Sequence, residues 1–285
     1  MKVLITGAGG QVGRALLATA PARVAAMGLG RDALDITDIA AVADAMAAIA
    51  PDLVINAAAY TAVDRAESEP DQAYAINRDA VAVLADEAAR ASARLAHIST
   101  DFVFNGLRAI PYPPDAHSAP LGVYGRSKLA GEVAAGADAL IVRTAWVYAA
   151  EGHNFVHTML RLMRERGAVR VVADQIGTPT WATSLARAIW ALALQEHTGI
   201  WHHTDSGVAS WYDFAVAIAE EALALGLLDM MPAITPIRTL DYPTPAARPA
   251  FSVLDCTATG AALGAPAPHW RANLRAMLAE VKAHG

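Results

Sequence analysis

Tyr124 and Lys128, in the stretch "YGRSK", are the residue types and spacing best suited to chemistry. Four residues apart, they fall on one face of a helix. A tyrosine hydroxyl titrates at about 10 in water, and an ammonium one turn away favours the phenolate and lowers that value. Such a pair holds a proton ready for an oxygen that is gaining negative charge. The chain has only three lysines, Lys2, Lys128 and Lys282, so this spacing is a scarce coincidence. A carbonyl reduction also needs a hydride donor, and "GAGGQVG" offers a seat for one. Gly7, Gly10 and Gly13 follow the apolar run 2–6, with Gln11 and Val12 opening a helix. Glycines there let the backbone approach a pyrophosphate at the helix N-terminus.

The next apolar run ends in "GLGRD". An NAD site usually carries Asp or Glu at this place, to hold the ribose 2′-hydroxyl. Here Gly30 stands there, followed by Arg31, which is either the partner of a 2′-phosphate or a solvated surface charge. Asp35 and Ile36 are placed beside the adenine, and Asp38 caps the helix that follows. NADPH is therefore expected ahead of NADH, with both accepted.

These positions need a frame. "KVLIT" (2–6), "RVAAMGL" (23–29), "DLVINA" (52–57), "RLAHIS" (94–99) and "LIVRT" (140–144) read as buried strands, with helical stretches near 10–20, 38–50, 71–93 and 125–136. Such alternation predicts an α/β fold: a doubly wound parallel sheet of Rossmann type with helices on both faces. Beyond Trp146 the rhythm loosens, which predicts a smaller C-terminal substrate-binding cap. The expected division is 1–146 plus about 165–204 for the dinucleotide-binding domain, and about 147–164 plus 205–285 for the cap. Strand 168–174 is expected to return to the large sheet, and the Pro-rich stretch 232–249 to form an ordered loop over the cleft.

Composition narrows the function. The chain has 285 residues, 55% hydrophobic content and a net charge of −6, with nothing basic enough for a nucleic-acid footprint. No run of 18 apolar residues free of charges or turn signals predicts a membrane span. "MKVLIT" runs straight into a strand with no signal peptide, and Cys256 is the only cysteine. Both point to a reducing cytoplasm. His202 and His203, adjacent on a strand, face opposite ways, so no metal is expected.

Five blocks, "NAAAYTAVDRAESEPDQAYAIN" (56–77), "STDFVFNG" (99–106), "PLGVYGRSKLAGE" (120–132), "VRTAWVY" (142–148) and "DQIGTPT" (174–180), together resemble the dTDP-4-dehydrorhamnose reductase family of extended short-chain dehydrogenases. The likeness runs from residue 7 to about 255. It implies NAD(P)H-dependent reduction of the C4 ketone of dTDP-4-dehydro-L-rhamnose, the last step of dTDP-rhamnose synthesis. It also implies Thr100 as a second hydroxyl at the carbonyl oxygen, beside Tyr124 and Lys128. Asp101 would then bind a sugar hydroxyl and Trp146 would close on the sugar, while Arg248 and Trp211 would serve the nucleotide. Ala59, Tyr60, Thr61 and Ile98 would cover the cofactor. The partner expected is a small nucleotide-sugar, with no nucleic acid and no membrane; a homodimer stays an open expectation.

Two departures from the family pattern stand out. Gly122 takes a place often held by Asn or Asp, and Pro113 and Pro114 replace acidic residues. Other readings are a related dehydratase or epimerase, or a non-catalytic dinucleotide-binding protein like the regulatory subunit of methionine adenosyltransferase. A dehydratase usually carries Asp-Glu after the threonine, whereas Asp101 is followed here by Phe102. Intact Thr100, Tyr124 and Lys128 argue against the regulatory role.

Overall fold

The structure, a computed structural model, describes residues 1–284. Strands β1 (Lys2–Thr6), β2 (Ala25–Leu29), β3 (Leu53–Asn56), β4 (Arg94–Thr100) and β5 (Leu140–Thr144) pair in parallel. Helices α1 (Gln11–Ala18), α2 (Ile39–Ile49), α3 (Val63–Ala66), α4 (Pro70–Tyr74), α5 (Ala80–Arg90) and α6 (Val123–Ala135) connect them. The C-terminal half adds strands β6 (Val147–Tyr148), β7 (Ala168–Val172), β8 (Ile176–Gly177), β9 (Thr180–Trp181), β10 (Gly199–His202), β11 (Ala209–Ser210) and β12 (Ala233–Ile237). Its helices are α7 (Phe155–Arg166), α8 (Ala182–Leu194), α9 (Trp211–Ala224), α10 (Thr257–Leu263) and α11 (Trp270–His284).

The large sheet has six parallel strands in the order β10-β5-β4-β3-β1-β2. Alternate residues of each strand feed two cores. Val3, Ile5, Leu53 and Ile55 pack with Leu16 of α1 and Leu185, Ile189 and Trp190 of α8. Leu4 and Val54 pack on the other face with Val42 and Met46 of α2 and Val81 and Leu84 of α5. With both faces covered, β1 and β3 are apolar through their middles, as a parallel sheet requires.

One expectation is corrected. Strand β7, within 168–174, does not return to the large sheet; it pairs in parallel with β12, and β10 takes the sheet edge instead. The physical reason lies in its alternation. Val169 and Val171 are buried with Met159, Leu160, Phe214 and Ile218, while Ala168 and Arg170 are exposed. That pattern suits a strand with one wet face, not the doubly covered interior of a parallel sheet. The Pro-rich stretch likewise contains β12, with Pro236 tolerated in a sheet of only two strands.

Candidate active site

The glycine turn comes first in the chain and leaves little room. Gly7 has φ +67°, and a Cβ on Gly13 would lie 2.3 Å from the Gly7 carbonyl oxygen. Gly7, Gly10, Arg31, Asp35, Ile36 and Ala59 line one cavity of about 390 Å³, so the structure brings these expected cofactor residues together. Gly30 sits against the turn, its missing Cβ 3.7 Å from the Gly9 nitrogen. Gln11, Val12 and Gly13 form the first turn of α1, where Gln11 accepts a hydrogen bond from Asn154 at 3.0 Å. The Asp35 carboxylate accepts from the backbone and hydroxyl of Thr37, which hold it below its usual range. The Tyr60 hydroxyl donates to Glu69 at 2.7 Å, and Thr61 is exposed.

Thr100 ends β4 at the carboxyl edge of the sheet, where open parallel sheets bind ligands. Its hydroxyl donates to Asp101 at 3.0 Å and accepts from the Phe102 backbone, so it also caps the short turn 101–103. Tyr124 lies in the first turn of α6, packed against the edge of Phe102 at 5.4 Å between ring centroids. A Cβ on Gly125 would sit 2.2 Å from the Phe102 carbonyl oxygen, so the helix start comes this close to the strand-end turn only with glycine there. Farther along α6, Glu132 accepts two hydrogen bonds from Arg143 and one from Ser99, all buried.

The electrostatics differ from the expectation at one point. Burial pushes the Tyr124 phenol up to about 12; the Thr100 hydroxyl beside it pulls the other way and Asp101 adds to the rise. Lys128 does not offset that rise, and its ammonium is turned to other groups. Lys128 donates to the Ile98 carbonyl at 2.6 Å and lies 3.2 Å from His97 Nε2. Burial lowers Lys128 to about 8. The buried His97 is held well below its usual value, by desolvation first and then by the Lys128 charge. Asp101 is raised to about 6 by burial, against the pull of the Ser252 and Thr100 hydroxyls.

A second cavity, of about 780 Å³, is lined by Trp211, Arg248, Asp64, Gln175 and Tyr242 among others. Trp211 stacks on Trp146, with centroids 3.6 Å apart and planes 6° apart. The two predicted tryptophans thus form one unit. Trp146 has φ +48°, a conformation side chains other than glycine rarely adopt, and Gly177 packs directly on its ring. Arg248 makes a two-pronged pair with Asp64, at 3.0 and 2.8 Å. Sequence reasoning missed His97, Asp64, Glu67 and Glu69. A lone histidine in an apolar strand and an acidic cluster in "VDRAESE" were the only signals.

Sheet order, glycine turn and the Tyr-x-x-x-Lys helix define a Rossmann-type extended short-chain dehydrogenase/reductase. The family profile described as RmlD substrate binding domain matches residues 1–283. A dTDP-4-dehydrorhamnose reductase of Aggregatibacter actinomycetemcomitans is 41% identical over 285 residues, covering 96% of this chain and 97% of that protein. The crystal structure of a dTDP-4-dehydrorhamnose reductase from Clostridium acetobutylicum superposes with a TM-score of 0.93 at 36% identity, covering 99% of this chain and 100% of that one. That of the Bacillus anthracis enzyme, in complex with NADP, gives 0.91 at 36% identity, covering 98% and 99%. This chain belongs to the dTDP-4-dehydrorhamnose reductase family.

Proposed function

We propose that the protein reduces the C4 ketone of dTDP-4-dehydro-L-rhamnose to the alcohol of dTDP-L-rhamnose, preferring NADPH and accepting NADH. The observation that carries this reading is a half-buried, protonated Tyr124 beside Thr100 at the sheet's carboxyl edge, one helical turn from Lys128. The relatives named above supply the substrate.

Reduction adds a hydride to C4 and a proton to its oxygen. The reduced nicotinamide supplies the hydride. Tyr124 supplies the proton. With its phenol raised to about 12, it is fully protonated at neutral pH. An alkoxide is a stronger base than a phenolate, so the transfer runs downhill. Thr100 turns its hydroxyl from Asp101 to the ketone oxygen and stabilises the charge that develops there. Lys128, mostly charged at neutral pH, keeps a donor for the nicotinamide ribose beyond those aimed at Ile98 and His97.

The residues present fit the dinucleotide. The Gly7–Gly13 turn is tight enough that side chains would fill it, and it opens α1 at a helix N-terminus suited to a pyrophosphate. At the strand end no carboxylate opposes a 2′-phosphate, Arg31 lines the same cavity, and Asp35 is turned to Thr37. Asp101, buried beside Thr100, is the acceptor for a sugar hydroxyl. Arg248 meets the diphosphate and Trp211 the base, across the cavity they share. Among the described residues no helix is long and apolar enough to cross a membrane, and the single Cys256 suits a reducing cytoplasm.

The test is NADPH oxidation on adding enzymatically made dTDP-4-dehydro-L-rhamnose, run beside UDP- and GDP-linked keto-sugars. Turnover with the dTDP substrate ahead of the others is expected. NADPH binding without turnover on any of them would favour a non-catalytic dinucleotide-binding protein.

A further inference from the structure

Helix α6 carries Tyr124 at its second position, yet its own N-cap residue offers nothing to hold it. Gly122 occupies the N-cap and makes no side-chain cap. The cap comes from elsewhere in the chain. Glu67, at the C-terminal end of α3, accepts the Val123 N–H through Oε1 at 2.7 Å. That same oxygen lies 2.5 Å from where a Cβ on residue 122 would stand. A Cβ at 122 would push the carboxylate from this position. A negative group at a helix N-terminus also meets the positive end of the helix dipole. The rest of α6 is fastened separately: Lys128 to Ile98, and Glu132 to Arg143 and Ser99. Glu67 thus secures the one turn that carries the phenol.

We propose that Glu67 is the positioning residue for Tyr124, capping α6 across the chain in the space left by Gly122 and so fixing the phenol over the ketone oxygen. The inference rests on Tyr124 as the proton donor. It also gives the segment 64–69 a coherent role. Asp64 holds Arg248 at the nucleotide cavity, Glu67 holds the helix of Tyr124, and Glu69 holds Tyr60 in the loop beside the cofactor cavity.

The experiment is a two-site exchange, read as turnover under chemistry-limited conditions and as NADPH affinity by direct titration. Glu67→Ala should lower kcat by about 10- to 100-fold, the usual consequence of a misplaced reacting group. NADPH affinity should hold within about twofold, since Lys128 keeps its own anchor. Glu67→Gln retains a carbonyl acceptor and should lose less. The pair Glu67→Ala with Gly122→Asn restores a cap from the N-cap side chain itself, and kcat should return to within about threefold of the unsubstituted protein. Two results would overturn the proposal: Glu67→Ala with turnover within about twofold of the unsubstituted protein, or a double variant no better than Glu67→Ala alone. Tyr124→Phe in the same assay separates the two levels. If it is inactive while Glu67→Ala is fully active, only the cap falls; if it keeps turnover, the donor assignment falls with it.

Discussion

At the wall of the cleft assigned to the cofactor, the chain makes its surface from backbone: Gly7 and Gly13 close so tightly that a Cβ on one would meet the other's carbonyl at 2.3 Å. At the wall assigned to the nucleotide-sugar, the surface is made of side chains: Arg248 gripped by Asp64 at 2.8 Å, and Trp211 stacked on Trp146 at 3.6 Å. At Gly7 and Gly13 the backbone surface leaves no room for an added atom, so the requirement there is strict and sits in one short stretch of sequence. A side-chain surface is assembled from residues far apart, such as Asp64 and Arg248, and each part is replaceable at a graded loss.

The largest effect should come from breaking the backbone wall. Gly13→Ala puts a methyl group against the Gly7 carbonyl, and NADPH affinity should fall by about 100-fold or more, while titration with dTDP shows unchanged affinity. If dTDP binding falls equally, the two walls are not separable. Breaking the side-chain wall should be milder. Arg248→Ala removes a charged donor worth about 2 kcal/mol. The KM for the nucleotide-sugar should rise by tens of fold, with NADPH affinity intact in direct titration. The smallest effect belongs to the exposed Arg31. Arg31→Ala should raise the KM for NADPH by about three- to tenfold and leave that for NADH in place, because a solvated charge acts weakly. Equal effects on the two cofactors would remove Arg31 from phosphate recognition.

The same contrast explains what could be read from the sequence. The glycine turn, the five central strands and the Tyr124–Lys128 spacing each impose a local pattern, and each was legible. The apolar character of 168–172 alone does not place the strand; Arg170 between Val169 and Val171 marks a strand with one face in water. The partner of Lys128 was hidden, since His97 meets it only after β4 and α6 are packed together. Glu67 was hidden for a related reason. Its role depends on an atom that residue 122 lacks, 55 positions away in the chain, and no spacing rule reports a cap supplied from that distance. Gly122 looked like a departure from the family pattern and is, in the structure, the opening that admits the carboxylate.

The central claim is that the phenol of Tyr124 delivers the proton. Tyr124→Phe keeps the ring, its edge contact with Phe102 and the helix, and removes only the hydroxyl. Single-turnover reduction of dTDP-4-dehydro-L-rhamnose by the NADPH-loaded variant is the most direct measurement. A rate lower by about 10²- to 10⁴-fold, with NADPH affinity unchanged, is the expected result. A variant retaining more than about a tenth of the rate would contradict the assignment.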